Sequence, residues 1–126
     1  MRQRINSGEI FPKGSAERKQ YPITTGVLDY FPDALAAVAH VSYMGNEKHN
    51  PGEPLHWSRE KSKDHADCVG RHLAQRGEID PETGISHTAS MVWRAMALLQ
   101  LEEEERKAKR LAEDQQSQWE KRVPKV

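Results

Sequence analysis

The chain has one cysteine, Cys68, among 126 residues. No intrachain disulfide can form, and that usage suits a reducing compartment. Apolar residues are scarce: 36% of the chain is hydrophobic, 30% is charged, and the mean hydropathy is -0.88. The longest apolar run is far too short to span a bilayer. Neither sign of charge is in excess, since 19 Lys and Arg balance 19 Asp and Glu. Nothing global therefore draws the chain to nucleic acid or to a membrane surface. The first residues, Met1 to Gly8, contain no apolar stretch of the secretory kind. These absences lead to an expectation of a soluble cytoplasmic protein with neither nucleic acid nor membrane as partner.

Several motifs are missing as well. There is no Gly-rich phosphate loop of the Walker or Rossmann kind, and no zinc pattern built on Cys pairs or His-Glu-x-x-His. Asp64-His65 reverses the His-Asp order of an HD phosphohydrolase. Cys68 has no neighbour in sequence that marks an activated thiol.

What remains is helical periodicity and one polar stretch. Residues 1–20 are rich in Gly, Ser, Lys and Arg and read as a flexible arm. Residues 21–31 read as extended or turn-like, with aromatic side chains pinning them to a core. A helix is expected from Pro32, a favourable first-turn residue, to a stop at Gly45-Asn46. Residues 45–57 then form a loop around the turn signal Asn50-Pro51-Gly52. A second helix is expected from Ser58, as N-cap, to Arg76, with an inner stripe of Ala66, Val69 and Leu73. A third starts near Ile85, carries the apolar spacing Ala89, Val92, Met96 and Leu99, and runs to about Trp119 on favourable Glu-to-Arg/Lys pairs. The fold class is all-α: a small helical bundle with a core small enough to be completed by oligomerisation. Three parts follow: an arm at 1–20, a helical domain at 21–103 and a charged helical extension at 104–126.

The chemistry concentrates between Gly45 and Arg94, which holds five of the six histidines. Asn46, Lys48, His49 and Asn50 lie on a loop able to present donors to an anion or a sugar, or simply to bond among themselves. Asp64, Asp67 and Arg71 share the outer face of the second helix. They read either as a carboxylate pair holding a cation beside a phosphate-binding arginine, or as a solvated face with local ion pairs. Asp80, Glu82 and His87 can add ligands, while Asp80 or Thr83 can equally cap the next helix. Arg94, inside an apolar stretch, needs an anionic partner.

Tyr30-Phe31-Pro32-Asp33-Ala34-Leu35, Gly45 to Gly52, Trp57-Ser58-Arg59, Asp67 to Leu73 and His87 to Leu99 recur here in an order that resembles the phage-associated dATP/dGTP diphosphohydrolase family, in its N-terminal-type domain. The resemblance spans roughly residues 20–103. It implies a deoxynucleoside triphosphate pyrophosphohydrolase, functionally similar to MazG-like all-α enzymes, acting in a host cytoplasm if phage-encoded. One departure stands out: the MazG-like Glu-Glu-x-x-Glu helix followed by Glu-x-x-Asp is absent, and Asp64-x-x-Asp67 is a partial echo of it.

On this resemblance a divalent cation (Mg2+, Mn2+ or Co2+) is the expected cofactor, held by Asp64 and Asp67 with Asp80 and Glu82. Asp67, His72 and His87 are the catalytic candidates. Arg59, Lys61, Arg71 and Arg94 would contact phosphate, and Asn46, Lys48, His49, Asn50 and Trp57 would line the base and sugar. A homodimer or homotetramer is the expected assembly. The competing expectation is a non-catalytic helical phage protein that binds a nucleotide or a partner, and a purely structural role is the third.

Overall fold

A computed structural model describes residues 9–124. The protein is all-α, as expected: α1 (Ser15–Arg18), a π-helical turn (Thr24–Leu28), α2 (Pro32–His49), a 3-10 turn (Arg59–Lys61), α3 (His65–Ala74) and α4 (His87–Arg122). No strand occurs among the described residues; one isolated bridge joins Ile79 to Ser86. Among the described residues no helix is long and apolar enough to cross a membrane.

The long helix α4 is the spine, and α2 and α3 each pack against it. Ser86 caps it, accepting a hydrogen bond from the Ala89 amide at 3.0 Å. Ser86 therefore takes the capping place expected of Asp80 or Thr83. The helix continues to Arg122, about 54 Å in all. The core is thin. Val38, Cys68, Ile85, Ala89 and Ala97 are buried, and among the described residues no large side chain is fully enclosed.

α2 begins with Pro32 in its first turn, as expected, but passes through Gly45-Asn46 and ends at His49. Two buried amides hold that extra turn: Asn50 Nδ2 donates to Asn46 Oδ1 at 3.2 Å. The stop comes from Pro51, which disfavours helix at Asn50, and from Gly52 at φ +78°. The expected loop is thus shorter at its front.

The second expected helix is interrupted. Ser62 is extended, and its hydroxyl donates to Asp64 Oδ1 at 2.8 Å. That local bond competes with helix. Ser58 consequently caps nothing and donates instead to Asn50 Oδ1 at 3.2 Å. α3 is also rotated from the expected stripe: His65 and Cys68 face inward, while Leu73 is left 47% exposed. Ala66, Val69 and Leu73 bury too little area to outcompete an imidazole that meets Arg94 on α4 and a thiol that accepts from Arg71 one turn on. Gly77, at φ +82°, turns the chain out of this region.

Residues 1–8 of the expected arm lie outside the described residues; Ser15–Arg18 within it is a short helix. Of the two forms expected for residues 21–31, the turn-like one is found. Gly26 N donates to Pro22 O and Asp29 N to Thr24 O, closing one wide turn. The aromatics there do not pin the core. Tyr21, Tyr30 and Phe31 are all more than half exposed, and Tyr30 packs edge-on against Phe31 at 6.0 Å.

Candidate functional site

A cavity of about 440 Å³ opens where the end of α2, the 50–62 segment, α3 and α4 meet. Its floor is an amide network. Asn46 Oδ1 accepts from Asn50 Nδ2 and from the His56 amide at 3.3 Å, while Asn46 Nδ2 donates to Glu53 O at 3.1 Å. Asn50 Oδ1 accepts from Ser58 and from Lys61 Nζ, which also donates to His49 O at 3.1 Å. Asn46 and Asn50 are 7% and 5% exposed. Their amides are spent on holding the loop and aiming Lys61, not turned outward to read a base.

A charged chain crosses the other side. Arg94 Nη1 donates to Ser62 Oγ at 2.6 Å, Ser62 donates to Asp64, and Arg71 Nη2 reaches Asp64 Oδ2 at 3.5 Å and Cys68 Sγ at 3.1 Å. The Ser62 hydroxyl, more than anything else, holds the Asp64 carboxyl below its ordinary 3.8. Among the described residues Asp64 is the one carboxylate on the cavity wall, and Lys61, Arg71 and Arg94 are the cations. The balance is positive, which suits a multiply charged anion. Trp57 and Trp93, edge to face at 5.8 Å, form the apolar wall.

Behind Arg94 lies His65, 3% exposed. Its Nδ1 is 3.2 Å from Arg94 Nη1. A guanidinium only donates, so Nδ1 accepts and the ring is neutral with its proton on Nε2. That Nε2 is buried without a hydrogen-bond partner among the described residues, with Trp57 and Trp93 at ring distances of 6.3 and 6.5 Å. Burial first, and Arg94 second, lower the His65 pKa from 6.5.

Asn46, His49, Asn50, Trp57, Lys61, Asp64, Arg71 and Arg94, all named from the sequence, line this cavity. The others do not. Lys48 is exposed at the end of α2, and Asp67 is exposed on α3 without lining the cavity. Arg59 turns to the opposite face, stacked 4.1 Å over Trp57 and paired with Glu104 at 2.7 Å. His72 and His87 face each other, Nδ1 to Nδ1, at 2.9 Å deeper in the α3–α4 contact. One donates and one accepts. Burial, then His87, lower the His72 pKa. Asp80 accepts from the Glu82 amide at 2.9 Å, an Asx turn that shapes the 78–87 hairpin.

The expected ligands Asp64, Asp67, Asp80 and Glu82 are therefore not brought to one point. Among the described residues no group of three or more His, Cys, Asp or Glu side chains can hold a metal ion. One carboxylate with a hydroxyl beside it does not fit a dedicated metal cage. Sequence reasoning passed over His65, Ser62 and Trp93. Ser62-x-Asp64 carried the one legible signal, a serine two residues before an aspartate, where side chains bond locally.

The profile of the dATP/dGTP diphosphohydrolase N-terminal domain matches residues 12–111. The chain belongs to that family. No curated protein and no solved structure matches it. The diphosphohydrolase family match runs from ahead of α1 through most of α4, so it takes in every wall of the cavity. It is a match to the N-terminal domain of such enzymes.

Proposed function

We propose that this cavity binds a purine deoxynucleoside triphosphate, dGTP or dATP, and that the chain hydrolyses it to the monophosphate and pyrophosphate. The observation that carries the reading is the cationic triad of Lys61, Arg71 and Arg94 around a single ionised carboxylate, beside an indole wall. Arg71 and Arg94 offer planar donors to phosphate oxygens, and Lys61 a point charge. Trp57 and Trp93 offer the apolar surface a base requires.

In the reaction a water oxygen adds to the α-phosphorus. The bridging oxygen to the β-phosphorus leaves with pyrophosphate, and the water's protons pass to solvent. The cationic side chains neutralise charge that grows on the leaving pyrophosphate. Any divalent cation belongs to the substrate: Mg2+ travels on triphosphate oxygens and needs only one or two protein carboxylates. Asp64 is the residue suited to meet it. Its lowered pKa makes it a better cation partner than a proton acceptor.

A second reading has a specific observation in its favour. The absence of a three-ligand group among the described residues, in a chain matching an N-terminal domain, suits a module that binds the nucleotide without turning it over. Calorimetric titration of dGTP into the parent, Arg71→Gln and Arg94→Gln tests the site common to both readings. Binding by the parent, weakened about tenfold or more in each variant, is expected from the loss of charge-assisted bonds. Equal binding by all three removes the cavity from consideration.

A further inference from the structure

His65 opens α3 and Arg94 lies on α4. The Arg94 guanidinium carries five N–H groups. Both hydrogens of Nη1 are engaged, one by Ser62 Oγ at 2.6 Å and one by His65 Nδ1 at 3.2 Å. The other three, on Nε and Nη2, have no partner among the described residues, and neither nitrogen is sealed from solvent. Arg94 lines the cavity, so this edge is the one a ligand there meets. Arg71 is held differently. It uses one nitrogen, Nη2, on both Asp64 and Cys68, and its side chain is 64% exposed.

Packing alone leaves His65 unexplained. It is 3% exposed, and its Nε2 finds no partner among the described residues. An apolar ring would fill the same space beside Trp57 and Trp93 without a stranded donor. What such a ring lacks is the Nδ1 lone pair. A carboxylate would also hold Arg94, but it would cancel the charge. A neutral imidazole holds the guanidinium and leaves its positive charge to an anion.

We propose that His65 is a positioning residue for Arg94: its Nδ1 locks the guanidinium so that the Nε–Nη2 edge stands ready for two oxygens of one phosphate group. This rests on the reading of the cavity as a nucleotide site. The free edge presents two parallel N–H groups, the geometry of bidentate phosphate recognition. Ser62 alone does not fix it. One acceptor leaves the guanidinium plane free to turn about that bond, whereas two acceptors on the same nitrogen define the plane. An unheld arginine surrenders its side-chain freedom when the ligand arrives, and holding it beforehand removes that loss from the affinity.

Calorimetric titration of dGTP into the parent, His65→Phe, His65→Asn, Arg94→Gln and the double variant of His65→Phe with Arg94→Gln tests this. Circular dichroism shows whether each is folded at the titration temperature. Phenylalanine keeps a ring beside the indoles and removes the acceptor; asparagine returns an amide oxygen near the place of Nδ1. The expected result is binding weakened about tenfold in His65→Phe and restored to within about threefold of the parent in His65→Asn. In the Arg94→Gln background the phenylalanine causes no further loss. His65→Phe or Arg94→Gln binding like the parent overturns the proposal. So does a folded His65→Asn that fails to recover, or an equal loss from His65→Phe with and without Arg94. In each of these cases a parent that binds dGTP leaves the cavity reading standing. A parent that binds none removes that reading and this proposal with it. Nitrogen NMR of the parent near neutral pH gives a check that no variant's folding affects. A neutral His65 ring with its proton on Nε2 is expected, and a proton on Nδ1 overturns the proposal.

Discussion

Replacing Asn46 with alanine separates a scaffolding amide from one that reads the substrate. Asn46 makes three hydrogen bonds, at 3.1, 3.2 and 3.3 Å, and is 7% exposed. Truncation leaves Glu53 O, the His56 amide and Asn50 Nδ2 without their partner. Each bond is worth about 0.5–1.5 kcal/mol, and these are at the long end of the range, so the sum is about 2 kcal/mol. At about 4 °C per kcal/mol for a chain of this size, Tm falls by about 8 °C. Asn50 then loses its anchor, and with it the aim of Lys61, so dGTP affinity falls as a consequence of the loosened loop. Thermal unfolding followed by circular dichroism and calorimetric titration below the new Tm read both effects. A variant with the parental Tm and abolished nucleotide binding refutes the reasoning, because Asn46 would then be touching substrate rather than holding the loop.

Asp64→Asn removes the only cavity carboxylate and is expected to abolish turnover, while Asp67→Asn, away from the cavity, leaves it unchanged; steady-state assays of the two decide between them. Arg59→Ala removes the Glu104 ion pair and the stacking on Trp57, and chemical denaturation is expected to report a loss of about 1 kcal/mol with product formation retained. Stability falls in mild acid. His65 and His72 have folded pKa values below 6.5, so below that value the unfolded chain binds more protons than the folded one. Their contribution is complete above about pH 6.5 and is lost as pH falls through the lower folded values. Asp64 and Glu104, lowered from 3.8 and 4.5, add a second loss at lower pH as it falls through theirs. A Tm that stays flat as pH drops from about 7 to about 5 contradicts the histidine assignment.

The helical class and the start of α2 were legible because Pro32 and regular apolar spacing are strong local signals. So was the run of α4 into its charged half, where Glu-to-Lys pairs sit one turn apart. The end of α2 was not. Gly45 and Asn46 look like a stop, but two amides bonding across one turn, a tertiary arrangement, carry the helix past them. α3 was misread for a related reason. Three small apolar residues marked one face, yet His65 and Cys68 are drawn inward by Arg94, Trp93 and Arg71, which lie elsewhere in the sequence or a turn away. The cavity's cations were found by residue type within the polar stretch. The roles of Asn46 and Asn50 were not, since an amide that reads a ligand and one that braces a loop look identical in sequence. The dispersal of Asp67, Asp80 and Glu82 was equally hidden, because it depends on the rotation of α3 and on the Asx turn at Asp80.

The most direct test of the central claim is product analysis by chromatography. The purified chain is incubated with each dNTP and NTP in the presence of Mg2+, Mn2+ or Co2+. Monophosphate and pyrophosphate formed from dGTP or dATP, and lost in Asp64→Asn, is the predicted result. Diphosphate with phosphate would contradict the bond assigned for cleavage. No product from a folded chain that still binds dGTP would contradict hydrolysis itself and leave the nucleotide-binding module.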